Sequence, residues 1–576
     1  MKSVTNLLDE YKLLTGWFTS VILCSAEFLL SPLAATLFTG HPVRPGGLHM
    51  TSKVSCAAIA VLAIAAGAGT AVATDVATYH NDIARTGLNP NETILTLSNV
   101  NSSSFGKLFT MPVDGKIDAE PLYLSSVPIP GQGTHNVLYA VTENDSVYAF
   151  DADNGTLLWQ VSVLGLAETP SDDHNCLNIY PTIGITSTPV IDRKSGPNGT
   201  IYVVAMSEDP SDNLYQRIHA LDITTGSEEF GGPTTIAAKY PGTGDNSQDG
   251  YVVFDPGQYA ERQALLLLNG VIYTGWTSHC DTRPYTGWVI GYSESTLQQT
   301  SVLDVTPNGD SGSIWMAGAG MASDGKSIYF LDANGTFDTL NKKGFPKSGD
   351  FGNGFLKLST ENKLHVADYF EMKSTRKESE HDTDFGSGGA LVLPDMTDGN
   401  NKTWHLAIGA GKDFNIYIVD RTNMGKFSPK NDNAIYQELD KALPGGIWSM
   451  PAYFNGSVYY APVDYNLVQF TFSQAKLSTA PASSSAATFP YPGSTPSISA
   501  NKTQNGIVWA IERKNPNDIL HAYDATNLQN ELYNSTQAGA RDHFGRASHF
   551  GTPLIVNGKV YVGTNDDVAV FGLLGK

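Results

Sequence analysis

Two short stretches of this chain gather side chains able to hold a metal or to bond covalently. "DDHNC" ends at Cys176 and "SHCD" runs from Ser278 to Asp281, so each sets a histidine and a carboxylate beside a cysteine. Thiolate, imidazole and carboxylate are the ligand types of a zinc site. The two stretches lie about a hundred residues apart, however, which carries no zinc-finger signature. The plainer chemistry is a disulfide between Cys176 and Cys280, a bond that persists outside the cytoplasm. We expect the disulfide.

That expectation depends on export. From Met50, "MTSKVSCAAIAVLAIAAGAGTAVATDV" has Lys53 as a basic flank, an alanine-rich apolar run, and a small-x-small cleavage pattern at Ala71-Val72-Ala73. We expect residues 50–73 to be a signal peptide, with a mature chain beginning near Thr74 that is periplasmic or extracellular. Cys24 and Cys56 would leave with the leader, so that Cys176 and Cys280 remain. Residues 1–49 are expected to be an upstream mis-start or an unstructured extension, its apolar stretch broken by Glu27 and Pro32. No anchor crossing a membrane is expected in the mature chain.

The elements that must position such residues are short strands. "AVTENDSVYAFDADNGTLLW" alternates through Val147, Ala149 and Asp151, turns at Asn154-Gly155 and returns through Leu157 to Trp159, a β-hairpin with the right turn residues. The spacing Ala149, Asp151, Gly155, Trp159 recurs as Ala220, Asp222, Gly226, Phe230, and in a degraded form as Ala522, Asp524, Tyr533. The aspartate reads as a turn residue and the tryptophan as packing between neighbouring units. With the strands before each copy, the unit is a four-stranded antiparallel sheet, and its repetition implies an all-β propeller. We count eight blades, with seven the alternative: 119–163, 185–236, 262–307, 312–370, 386–430, 445–475, 495–537, and a C-terminal one completed by residues 105–113. Residues 74–576 then form one domain. The stretch 478–497, rich in Ser, Ala and Pro, reads as a surface loop.

Composition agrees with many short strands: 56 glycines, 10% aromatic residues and only 16% charged ones. A formal net charge of −21 excludes a nucleic-acid partner, whose phosphates need a basic surface. It speaks equally against docking on anionic lipid.

The Ala-x-Asp-x-x-x-Gly-x-x-x-Trp hairpin resembles the tryptophan-docking motif of the quinoprotein alcohol dehydrogenase-like propellers, a family of pyrroloquinoline quinone (PQQ) dehydrogenases and non-catalytic relatives. The resemblance spans roughly residue 79 onward. "DAEPLY" is similar to the family's opening strand, with Glu120 in place. "GSIWMAGAGMASDGKSIYFLDANG" puts Trp315 where the family stacks a tryptophan on the cofactor and Asn334 where it places a calcium ligand. "EHDTDFGSGGALVLPD" implies Asp384 as the catalytic aspartate. "GAGKDFNIYIVDR" implies Lys412 as the cation touching the quinone. Asp281 falls near the family's calcium-binding glutamate.

What the resemblance implies is a coherent chemistry. Asp281, Asn334 and Asp384 would offer hard oxygen ligands to Ca²⁺, Asp384 would be the general base, Lys412 would stabilise negative charge and Trp315 would floor a planar cofactor. Residue by residue there is a simpler reading: Asp384 ahead of Gly386 and Gly388 can start a turn, and Asn334-Gly335 is a hairpin pair. The chain also departs from the family. It lacks two adjacent cysteines, has Thr383 rather than Trp before Asp384, and has no Cys-x-x-Cys-His for a covalent haem. Two functions follow: a PQQ- and Ca²⁺-dependent dehydrogenase of small alcohols or sugars, or a non-catalytic propeller that binds protein or polysaccharide.

Overall fold

The computed structural model describes residues 74–575; the expected leader and the extension before it lie outside the described residues. The described residues are all-β apart from one six-residue helix, Thr375–Glu380, and three single-turn 3-10 segments. Among the described residues, eight sheets each contain a run of four strands in up-and-down antiparallel order, and five of them carry one or two further short strands. They cover 122–162, 190–235, 266–304, 322–371, 391–439, 452–489, 497–534, and 554–573 joined by 105–112. In the last of these Phe105–Pro112 pairs with Asp567–Leu573, so the two ends of the described chain share one sheet.

Apolar packing links each sheet to the next. Val141 and Val203 join the first and second sheets, Ile218 and Ile290 the second and third. One large cluster runs from Val289 through Phe330 and Ile418 to Phe470, uniting the third to the sixth. Tyr459 and Val508 join the sixth and seventh, Trp509 and Phe571 the seventh and eighth. Leu138 and Val570 then join the eighth back to the first. The packing returns on itself, an arrangement consistent with a β-propeller.

The hairpin motif acts as a brace. Asp151 accepts the backbone N–H groups of Asp153 and Asn154 at 2.8 and 3.3 Å, closing its own turn. Trp159 donates its indole N–H to the Ile223 carbonyl of the next sheet at 3.1 Å.

One segment of the reading is overturned. Residues 478–497 do not form a surface loop: Ser483–Phe489 is the fourth strand of the sixth sheet, paired with Tyr465–Ser473. Its "SSSAATF" carries no hydrophobic alternation, so the pattern is silent. The pairing is instead fixed by polar contacts, such as the Ser483 hydroxyl on Gln469 Oε1 at 2.7 Å.

The segment 76–89 also has no strand pattern, yet it touches all eight sheets. Val76 pairs with Tyr123, and the carbonyls of Ala77, Ile83, Ala84, Thr86 and Gly87 accept N–H groups of Ile191, Ser323, Val392, Tyr453 and Ile498. The Arg85 guanidinium donates to Leu265 O, at the start of the third sheet, and the Asn89 amide donates to Ile555 O in the eighth. Strands that one short segment can reach must surround it. Arg85, fully buried, also donates to Met321 O, Tyr79 O and the Thr78 hydroxyl, so its charge is spread over four acceptors.

Candidate functional site

A cavity of about 260 Å³ is lined by seven of the residues singled out from the sequence: Cys176, Cys280, Asp281, Trp315, Asn334, Asp384 and Lys412. They come from loops that follow or precede strands of five different sheets. Such convergence is what a ring of sheets provides at its axis.

Asp384 stands just before a single 3-10 turn, Phe385–Ser387. Glycine at 386 is required there: a Cβ would lie 2.3 Å from the Ala333 nitrogen of the neighbouring sheet. This close approach brings Asp384 beside Asn334. From the other side, Lys412 N–H donates to Asp384 O at 2.9 Å. The turn reading and the site reading are thus compatible, since the turn is what delivers the carboxylate.

Asp384 is only 2% exposed. Its carboxylate lies 2.6 Å from Lys412 Nζ, and the same ammonium reaches Asp382 at 2.5 Å. Asn334 Nδ2 donates to Asp382 at 2.8 Å, which leaves buried Asn334 Oδ1 without a hydrogen-bond partner. Burial pushes the Asp384 carboxyl up to about 6 against the pull of Lys412, with Asp382 and Asp281 adding to the rise. Burial opposes the Lys412 charge, but Asp384 and Asp382 outweigh it and hold the ammonium above its ordinary pKa.

Trp315 meets Phe550 edge to face at 5.4 Å. It is followed by Met316 and Ala317 in the left-handed region, φ 43° and 52°, a costly backbone for non-glycine residues and one that collects at ligand sites. Cys176 and Cys280 are joined by a disulfide with a Cα–Cα distance of 5.5 Å. It ties the loop after the first sheet to a loop of the third. Beside it His174 and His279 stack at 4.1 Å, and burial, reinforced by His174, lowers His279 to about 3. Asp281 accepts the Tyr285 hydroxyl at 3.0 Å. Glu120 lies elsewhere, accepting the His80 N–H at 2.7 Å, and is not part of the cavity wall.

Among the described residues, no group of three or more His, Cys, Asp or Glu converges tightly enough to hold a metal ion alone. The oxygen set here needs the Asn334 amide. In kind it fits a hard cation: an orphaned buried amide oxygen with the carboxylates of Asp281, Asp382 and Asp384 in one cavity. The indole of Trp315 in the same wall fits a planar ring.

Sequence reasoning did not find Asp382, Trp448 and Tyr491, which also line the cavity. Asp382, two residues before Asp384, was the most accessible signal; "GGIW" and "PYPG" carry none beyond glycine and proline turns.

Three solved structures share this arrangement of sheets. The quinohemoprotein alcohol dehydrogenase of Comamonas testosteroni superposes with a TM-score of 0.58 at 15% identity, over 87% of this chain and 81% of that one. The quinohemoprotein alcohol dehydrogenase ADHIIG of Pseudomonas putida HK5 gives 0.56 at 14%, over 87% and 81%. This chain has the fold of these dehydrogenases. A europium-containing methanol dehydrogenase matches over 87% of this chain and 98% of its own, with a TM-score of 0.56 at 13% identity. No protein-family model and no curated protein matches the chain in sequence. The shared fold therefore stands on structure.

Proposed function

We propose that this protein is an exported dehydrogenase of alcohols or sugars that uses PQQ and a metal ion, Ca²⁺ in the first instance. In this reading the eight four-stranded sheets are the blades of one ring formed by residues 74–576, with Trp159 docking one blade on the next. The observation that carries it is Asp384: a buried carboxyl paired with Lys412, pushed up to about 6, in the wall of a cavity that also holds Asn334 and Trp315. When bound, the quinone supplies a hydride acceptor and the metal ion a Lewis acid.

The chain's own residues do the rest. Asp384 takes the hydroxyl proton of the substrate, a task suited to a base with a pKa of about 6. Lys412 keeps Asp384 ionised and, through Asp382, connects it to solvent, because the Asp382 side chain is 67% exposed. Asn334 Oδ1 and Asp281 would hold the metal ion, Trp315 the cofactor ring, and the Cys176–Cys280 bridge fixes the wall. The disulfide suits an oxidising compartment, and among the described residues no helix is long and apolar enough to cross a membrane. A scaffold propeller has no use for a half-buried lysine held against the buried carboxylate of Asp384, a pair that is costly to desolvate.

The test is reconstitution of the purified protein with PQQ and Ca²⁺, followed by dye-linked oxidation of a panel of alcohols and sugars. Turnover that depends on both additions is expected. Failure to bind PQQ at micromolar concentration would overturn the reading and leave a binding propeller.

A further inference from the structure

Two aromatic side chains in the cavity wall have no part in the chemistry above. Trp448 and Tyr491 meet edge to face, ring centroids 5.8 Å apart at 69°. Both line the cavity with Asp384 and Lys412, and Lys412 Nζ lies 5.9 Å from the Trp448 ring centroid. The pair therefore borders the reacting groups rather than a remote surface.

Both rings are held in place. Glycine at 446 lets the Trp448 ring pack directly on the backbone, since a Cβ there would lie 2.6 Å from a ring carbon. Tyr491 sits in the turn Pro490-Tyr491-Pro492-Gly493, closed by Gly493 N–H on Pro490 O at 2.8 Å. Two prolines leave the turn little freedom. Yet Tyr491 is 45% exposed. A large apolar ring kept rigid and in water at the edge of a cavity loses little entropy when a ligand covers it.

The polar groups that share the cavity with that ring pair are the donor Lys412 and several carboxylate acceptors. Asp382 is largely exposed, Asp281 is exposed, and both lie in the same lining. Carboxylates accept hydroxyl donors, two or more each. A short aliphatic alcohol offers one hydroxyl and no face for two aromatic rings. Its tail wants a closed apolar slot, and this lining instead carries the charged side chains of Asp281, Asp382, Asp384 and Lys412. A sugar ring offers both halves: a C–H face for the aromatics and a rim of hydroxyls for the carboxylates.

We infer that the ligand of this cavity is a pyranose sugar, its C–H face against Trp448 and Tyr491 and its hydroxyls on Asp382. As a statement about an enzyme's substrate it rests on the dehydrogenase reading; as a statement about binding it does not.

The experiment uses the purified protein without added cofactor. Methyl pyranosides of gluco, galacto and manno configuration are titrated by calorimetry and by intrinsic tryptophan fluorescence, with ethanol and 1-butanol in parallel. Saturable binding of at least one pyranoside is expected, and none of either alcohol. Trp448→Ala and Tyr491→Ala should each weaken binding roughly tenfold, and Tyr491→Phe, which keeps the ring, should not. Thermal melting of each variant shows that it is folded, and the exposed Tyr491 pair serves if Trp448→Ala is not. Binding of no pyranoside, tighter binding of an alcohol, or equal affinity in Tyr491→Ala and Tyr491→Phe overturns the inference. Oxidation of short alcohols by a reconstituted protein that binds no pyranoside defeats this inference alone. Pyranoside binding by a protein that takes up no PQQ defeats the dehydrogenase reading alone.

Discussion

Lys412 Nζ lies 2.6 Å from the carboxylate of Asp384 and 2.5 Å from that of Asp382, so a single ammonium serves one buried acid and one exposed acid. The buried one is the base of the proposed reaction, and its pKa of about 6 is the balance between burial and that ammonium. Activity of the reconstituted protein should therefore rise with pH through about 6 as Asp384 loses its proton. Replacing Lys412 by Met removes the cation and raises Asp384 further, moving this acidic limb to higher pH. Asp384→Asn should lower turnover by about 10²–10⁴-fold while sparing cofactor binding, because an amide keeps an oxygen but takes no proton. An unshifted limb in Lys412→Met would separate the lysine from the base.

The Cys176–Cys280 bridge closes a loop of 104 residues. Cross-links of that span stabilise by about 2–5 kcal/mol, mainly through the unfolded chain. Cys176→Ser should lower the melting temperature and free one thiol, Cys280, for titration under denaturing conditions. The wild-type protein should show none among the described residues. Reactive thiols at both Cys176 and Cys280 in the wild-type protein would remove the bridge and return the two cysteines, with His174 and His279, to the metal reading.

Much of this was legible in the sequence because it is local. The hairpin at 146–162 is written in alternation and in the Asn154-Gly155 turn, and the strand 105–113 was needed to complete a sheet. Asp384, Lys412, Asn334 and Trp315 follow from the resemblance to the quinoprotein family's motifs, whose order along the chain they keep. What escaped is what depends on distant partners. Residues 76–89 hydrogen-bond one at a time to eight separate sheets, so no period marks them. Ser483–Phe489 is a strand by its hydroxyls rather than by apolar alternation. Trp448 and Tyr491 are set in the cavity by glycine and proline turns whose neighbours lie tens of residues away.

Arg85 tests the role of that central segment. Its guanidinium donates to Thr78, Tyr79, Leu265 and Met321 with no exposure to water. Arg85→Lys keeps the charge but cannot span four acceptors, and several buried carbonyls lose their donor. A loss of about 3 kcal/mol or more is expected in denaturant melts. A change under about 0.5 kcal/mol, the range of ordinary surface substitutions, would mean that 76–89 lies passively inside the ring.

Buried acids set the pH dependence of stability. Burial raises Glu120 to about 8, with Asp304 and Glu378 at about 7. Their values in an unfolded chain are 4.5, 3.8 and 4.5. Between those limits the folded protein holds protons that the unfolded chain has released, so stability falls as pH rises. Asp118 has the opposite sign, lowered to about 2 although burial opposes it, because Lys116 and its hydrogen-bond partners outweigh the burial. Its contribution is complete above the ordinary aspartate value and is lost only below it, so it does not flatten the fall at higher pH. Repulsion within a chain of net charge −21 acts in the same direction as the raised acids. The melting temperature should thus be highest near pH 5 and drop by roughly 5 °C or more by pH 8. Glu378→Gln, which removes one titrating acid, should make the decline shallower. A melting temperature that climbs from pH 5 to pH 8 would mean that these carboxyls are ionised in the folded protein and paired with cations.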